Sequence, residues 1–337
     1  GKGVSVVTAA YVQRYAAFLL RLLSQVAVSA FSVLPETAAW AKELHEALSA
    51  AEGSAPDAWT PASRLEFMRR CAGSADRFRA RVFDNGPSPE KEELDIGLIK
   101  ELFRSIDRFA SQTLGANRRE DGLFHSYNTL AVERDKNGKP SGIVIHRLYP
   151  MLEGQVAALS SQSIDLDKAE ETLKALRSSA LYRPDQHSYM LYPNRELPGF
   201  LERNRIDGNA ASGSQALKKL LADPNQRLVI KDQDGHLHFH TSIRNARILR
   251  EGLDELTAKS SSLDLDRDEI RELSELYENT FAHQNFTGRS GTFYGYEGLG
   301  SVYWHMVSKL LLAIQENVAG AHRCGDTDIA EALPPRY

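Results

Sequence analysis

The sequence predicts a mainly α-helical chain, the C-terminal part of an (α/α)6 barrel with small β-hairpin excursions. Three observations point there. Apolar residues recur at helical spacing over most of the 337 residues, two β-rich stretches flank turn-forming residues, and long loops rich in aromatics separate the helices. Residues 1–318 read as one part-barrel and 319–337 as a tail.

The first third is helical, with apolar periodicity over 4–33, 36–51, 61–82 and 91–113. Short polar breaks separate these helices: "LPET", where Thr37 is placed to cap, "SAPDAWTPAS", with Pro61 near a helix start, and "DNGPSPEKEE". Alternating and β-branched runs on either side of "DKNGKPSG" predict a hairpin. Helical pattern returns at "MLEGQVAALSSQ" and "LDKAEETLKALRSSAL", and "YRPDQHSYMLYPNRELPGFLERN" then reads as a loop rich in Tyr, Pro and Arg. In "QRLVIKDQDGHLHFH" two β-rich runs flank Asp234-Gly235, the signature of a second hairpin. Helices follow at 242–258, at 266–282 and at about 297–318.

Composition excludes some partners. With 41 basic and 45 acidic residues, a net charge of -4 and no long block of one sign, nothing electrostatic calls for nucleic acid or an anionic membrane. Cys71 and Cys324 are too few and too far apart for a disulfide framework or a zinc cluster, so both are expected as packing residues in a reducing cytoplasm. The apolar opening is interrupted by Arg14 and Arg21 before about 18 uncharged residues accumulate, which predicts a buried amphipathic helix rather than a membrane span. That helix follows Gly1-Lys2-Gly3 with no starting methionine or polar leader, as if the chain began inside a larger protein.

Residue chemistry concentrates in "HQNFTGRSGTFYGYEGLGSVYWH", His283 to His305. Its Thr-Gly-Arg-Ser-Gly run offers uncovered backbone N–H groups, two hydroxyls and a guanidinium, donors that suit an oxyanion. A tight turn needing Gly288, Gly291 and Gly295 for backbone shape is the alternative. His236, His238 and His240 alternate along a predicted strand and share one face, the arrangement of a zinc fan, of one functional histidine, or of a surface ladder. No metal is expected. Asp121, Glu153 and Glu297 are the carboxylates in aromatic or glycine-rich settings, as acid–base work requires, although Glu297 also suits the first turn of the last helix. Neither a G-x-S-x-G elbow nor a nucleotide P-loop is present.

These residues resemble the inverting glycoside phosphorylases related to cellobiose phosphorylase, in particular the larger enzymes acting on β-1,3- or β-1,2-linked gluco-oligosaccharides. "FTGRSGTFYGYEGLGSVYWH" is similar to the family's phosphate loop, with Thr287, Gly288 and Arg289 on matching positions, Ser290 in place of a glycine, and Phe286 where the family has histidine. "GKGVSVVTA" resembles the stretch following the family's catalytic aspartate, "LEGQVAAL" a stretch whose glutamine falls on Gln155, and "DGHLHFHTS" a stretch whose phosphate-binding histidine falls on His240, with His238 beside it.

The resemblance implies phosphorolysis with inversion. An acid protonates the glycosidic oxygen, and inorganic phosphate, as co-substrate and with no other cofactor, attacks the anomeric carbon from the opposite face to give α-glucose 1-phosphate. Phosphate takes the place of the water and base of an inverting hydrolase, whose carboxyls stand about 6.5–9.5 Å apart. Donors then serve better than a second carboxylate, which would repel the dianion. The resemblance assigns that task to Thr287, Gly288, Arg289, His240 and His238, and sugar contacts to Phe124, His125, Tyr127, Gln155, Tyr189 and Glu297. No general acid is expected in the chain. It falls on an aspartate just upstream of Gly1, in a polypeptide that also carries the rest of the barrel and a β-sandwich domain, and a homodimer is compatible. Two other readings stay open: an α/α-barrel polysaccharide hydrolase or lyase using Asp121 or Glu153, and a non-catalytic helical carbohydrate-binding protein.

Overall fold

The structure is a computed structural model and describes residues 3–51, 58–161, 163–194, 198–259, 263–281 and 302–334. It divides into two compact units, residues 1–193 with 300–337, and residues 194–299. The fold is mainly α.

The first unit opens with β1 (Gly3–Ser5) and α1 (Val6–Ser24). Ser5 caps α1, its hydroxyl accepting from the Thr8 N–H at 3.0 Å. The helix stops at Ser24, not at 33 as periodicity predicts. Ala30–Val33 instead form β2, which pairs antiparallel with β3 (Glu92–Asp95). A short apolar run fits either periodicity, and the ladder to β3, a partner some sixty residues on, is not visible in the local pattern. Between these strands lie α2 (Pro35–Ala51) and α3 (Pro61–Arg79). Thr37 sits inside the first turn of α2 rather than capping it, since its N–H donates to the Leu34 carbonyl. Pro61 stands at the first helical position of α3, as the sequence predicts, and Thr60, which the sequence reading did not single out, caps it.

Asp95 caps α4 (Ile96–Ala116), which lies along α1. Ala10 and Ala16 on α1 and Ser105 and Ala110 on α4 are buried and small, so the two backbones approach closely, and Gln13 Nε2 donates to Asp107 Oδ1 at 2.7 Å. β4 (Tyr127–Arg134) and β5 (Pro140–Arg147) form the predicted hairpin around "DKNGKPSG", and β1 completes the sheet in the order β1-β4-β5. α5 (Leu152–Ser161) and α6 (Leu166–Arg177) follow, then the two-residue strands β6 (Tyr182–Arg183) and β7 (Ser188–Tyr189).

The second unit contains α7 (Phe200–Arg203), α8 (Gly208–Gly213), α9 (Gln215–Ala222), β8 (Val229–Lys231), β9 (Leu237–Phe239), α10 (Ala246–Lys259) and α11 (Arg267–Phe281). Its core is its own: Leu217, Leu220, Phe239, Leu249, Leu253, Leu273, Tyr277 and Phe281 interlock, with Phe239 edge-on to Tyr277 at 4.9 Å. The second hairpin forms where "DQDGH" predicts it, with Gly235 at φ 89° in the turn.

The chain then rejoins the first unit in α12 (Trp304–Cys324) and α13 (Thr327–Ala332). α12 runs six residues past 318 and ends at Gly325, φ 77°, in the left-handed cap that glycine accepts without strain. Met306, Val307, Leu310, Ala313 and Ile314 bury against Leu152, Val156 and Leu159 of α5, and Asn317 Nδ2 donates to the Leu159 carbonyl at 3.0 Å. Cys71 is half-buried, which raises its thiol pKa by desolvation, whereas Cys324 is exposed and so is not the packing residue expected.

Candidate functional site

In the first unit, the loop from Asn117 to Tyr127 crosses the N-termini of α1 and α5. Asn117 ends α4 with its N–H on the Leu114 carbonyl, and its Oδ1 accepts from Asn128 Nδ2 at 2.9 Å. Gly122, at φ 84°, turns the loop back so that Arg119 N–H reaches the Leu123 carbonyl at 2.7 Å. Ser126 then ties three elements together. Its carbonyl accepts from Val6 N–H at 3.0 Å, its hydroxyl donates to the Met151 carbonyl at 3.1 Å, and that hydroxyl accepts from Gly154 N–H at 2.8 Å. Nothing in its sequence neighbourhood marks Ser126, since its partners lie more than 20 residues away on either side.

Gln155 is fully buried beneath this loop. Its Oε1 accepts from Phe124 N–H, and its Nε2 donates to the carbonyls of Phe124 and Met151, each at 2.8 Å. Every strong bond its amide forms here is to backbone. Phe124 and Tyr189 are 1% and 0% exposed, so both rings are core residues and neither presents a face for stacking on a sugar. Tyr189 belongs to the core that also holds Leu123 and Leu152, so five of the six sugar-contact candidates lie in this one unit.

His125 is buried, and its Nδ1–H donates to the Leu148 carbonyl at 3.0 Å. Burial lowers its pKa, favouring a neutral ring whose Nε2 carries a lone pair. Tyr127 is half-buried and donates its phenol proton to Glu153 Oε2 at 2.5 Å. Burial and that bond push the phenol pKa upward, so it remains a proton-bearing donor. Asp121 is gripped by Arg119 through contacts of 2.8 to 3.1 Å and accepts from Leu123 N–H. The guanidinium lowers its pKa, the opposite of what a general acid needs.

The hairpin of the second unit carries the histidines. His238 has both ring nitrogens engaged, Nε2 by Asp232 Oδ2 at 2.8 Å and Nδ1 by the Asn204 carbonyl. The Asn204 side chain holds the next residue, with Nδ2 on the Phe239 carbonyl at 2.7 Å and Oδ1 accepting from Phe239 N–H at 2.9 Å. His240 is half-buried. Its Nδ1 accepts from Ser242 N–H at 3.2 Å and faces the Ser242 hydroxyl at 2.7 Å, which places the ring proton on Nε2. Among the described residues the three histidines form no ligand group. Asp232, Asp234 and His236 do come within 4.8 Å of one another, but on an exposed turn whose carboxylates nothing else marks as a site.

A cleft of about 300 Å³ in this unit is lined by Glu202, Arg203, Arg205, Asp207, Asn279 and Thr280 among others. The motif "TGRSG" with Thr287, Gly288 and Arg289, and Glu297 after it, lies outside the described residues.

Residues 197–284 match the family model of GH149 phosphorylase insertion domain 2. The match supports a glycoside phosphorylase family member. It starts three residues after the boundary at which the second unit separates from the first, so the insertion domain and that compact unit are largely the same stretch of chain. His238, His240 and the small cleft all lie within it. No curated protein sequence matches the chain.

Proposed function

We propose that this chain is part of an inverting glycoside phosphorylase that cleaves β-1,3- or β-1,2-linked gluco-oligosaccharides with inorganic phosphate and releases α-glucose 1-phosphate. The observation that carries the reading is the phosphorylase insertion-domain match over one compact unit, followed within a few residues by the donor-rich "TGRSG". The first unit is then part of an (α/α)6 catalytic barrel, and the general acid is an aspartate of the same polypeptide outside residues 1–337.

On this reading Thr287, Gly288 and Arg289 hold phosphate together with His240, whose Nε2–H is the free donor of its ring. His238 supports that arrangement through the hairpin, both of its nitrogens being engaged. Tyr127, His125 and Glu297 contact the sugar, while Phe124, Tyr189 and Gln155 set the position of the loop that carries the first two. A lowered pKa at Asp121 weighs against its use as the acid of a hydrolase. The enzyme needs no cofactor beyond phosphate as co-substrate and works in the cytoplasm.

The test is to supply the complete polypeptide with β-linked gluco-oligosaccharides in the presence and absence of phosphate. Release of α-glucose 1-phosphate only with phosphate is expected, with no turnover by residues 1–337 alone. Phosphate-independent release of reducing sugar would overturn the proposal in favour of a hydrolase, and sugar binding without turnover in favour of a carbohydrate-binding protein.

A further inference from the structure

α1 is apolar on two opposite faces. Val6, Ala10, Ala16 and Leu23 are buried, whereas Tyr11, Tyr15, Phe18 and Leu22 are 38%, 60%, 50% and 47% exposed. The exposed four are spaced four, three and four residues apart, the repeat by which one helix seats a second along a seam. A helix with two apolar faces calls for cover on both, and by length and composition α1 passes for a membrane span. Beside the seam runs a cleft of about 570 Å³, with the ends of α5 and α12 on its other side at Ser161 and Arg323.

The charges around the cleft choose among occupants. Arg14, midway along α1, is held bidentate by Glu316 at 2.7 and 2.8 Å, with a further bond to the Ser160 carbonyl at 3.0 Å. Arg21 and Arg323, which also line the cleft, have no partner among the described residues. α1 carries two arginines and no carboxylate, so a second copy of this helix would set guanidinium against guanidinium. A bilayer over the seam would draw the Arg14–Glu316 pair, midway along α1, into hydrocarbon, a cost that a protein partner avoids. The missing complement is a helix with an apolar 3-4 stripe flanked by carboxylates. An exposed seam of large apolar side chains is the composition of an obligate interface rather than a transient one.

We propose that the Tyr11–Tyr15–Phe18–Leu22 seam is the docking surface for a carboxylate-bearing amphipathic helix of the same polypeptide lying outside residues 1–337, with its carboxylates on Arg21 and Arg323. This rests on the reading above that the chain is part of a larger phosphorylase, and it adds which surface joins the parts and by what chemistry.

The test is hydroxyl-radical footprinting of the complete polypeptide beside residues 1–337 alone. Phe83, 78% exposed, serves as the open control, and Tyr189, 0% exposed, as the closed one. In the complete polypeptide at monomeric concentration and without lipid, labelling of Tyr15 and Phe18 is expected to fall to the Tyr189 level, while in residues 1–337 alone it stays near that of Phe83. In the complete Arg21→Lys variant, zero-length carbodiimide coupling from position 21 is expected to reach a carboxylate of the same polypeptide outside residues 1–337. Labelling of Tyr15 at the Phe83 level in the complete polypeptide overturns the proposal. So does protection that appears only on self-association, only with liposomes, or only on adding a different protein. Phosphorolysis measured on the same samples separates the two readings. Turnover with an open seam sinks the docking surface alone, and a closed seam without turnover sinks the phosphorylase reading alone.

Discussion

Replacing Gln155 with leucine distinguishes a positioning role from direct sugar binding. Leucine has nearly the same volume, so no large cavity opens, but three hydrogen bonds of 2.8 Å disappear and the Phe124 N–H and carbonyl, together with the Met151 carbonyl, lose their partner. The Met151 carbonyl keeps the Ser126 hydroxyl, which leaves the two Phe124 groups buried and unsatisfied. Each such group costs about 1–3 kcal/mol, so the expected loss is about 2–6 kcal/mol. For a unit of this size, about 2–4 °C of Tm per kcal/mol gives a fall of at least about 4 °C. Differential scanning calorimetry of residues 1–337 reads this, with the transition of the first unit expected to move and that of the second to stay. On the proposed function, kcat and KM of the complete polypeptide should degrade together with stability, and Gln155→Glu, which keeps one acceptor and loses both donors, should rescue neither. An unchanged Tm with a raised KM for oligosaccharide would refute the positioning argument and return Gln155 to the sugar.

Other predictions test neighbouring steps. On the proposed function, Thr287→Ala and His240→Ala in the complete polypeptide should each raise the phosphate KM by about tenfold to over a hundredfold, the effect of losing a bond to a charged partner worth about 1.5–3 kcal/mol, and initial rates at varied phosphate check this. Gly154→Ala would place a methyl 2.4 Å from Ser126 Oγ and 3.0 Å from its Cα, so it should destabilise unit 1 by about 1–3 kcal/mol in denaturant melts. Asp232 has its pKa lowered from 3.8 to about 2, chiefly by the hydrogen bond from His238. A depressed carboxylate stabilises the fold above its unfolded pKa, so this contribution is present above about pH 4 and is lost as pH falls through about 2. Asp232→Asn should flatten that acid limb in the insertion-domain transition, read by thermal melts between those pH values.

Local chemistry was legible where its partners are near in sequence. Asp234-Gly235 between two β-rich runs marked the second hairpin, and Pro61 marked the start of α3. What the sequence hid depends on distant partners. Ala30–Val33 become a strand through β3, and Gln155 spends its amide on backbone 31 residues away. Phe124 and Tyr189 look like loop aromatics in the sequence and are core in the fold, because loop and core aromatics share a composition and only packing separates them. The boundary at Pro193–Asn194 falls inside the Tyr-, Pro- and Arg-rich loop, whose aromatics read as a binding loop rather than as a linker, so the second unit did not separate from its surroundings. Of the candidate site, the cluster of Phe124, His125, Tyr127 and Gln155 was found as a neighbourhood, while the roles within it were not: Ser126, which ties that neighbourhood together, has no motif at all.

The pair between Arg14 and Glu316 spans 302 residues of sequence, and the core that joins α12 to α5 spans nearly half the chain. Every bond of the second unit described above is drawn from residues between 194 and 299. During synthesis the domain therefore has all its partners while the body that hosts it still lacks α12. The second unit can thus complete its own core before α12 of the first unit has been made.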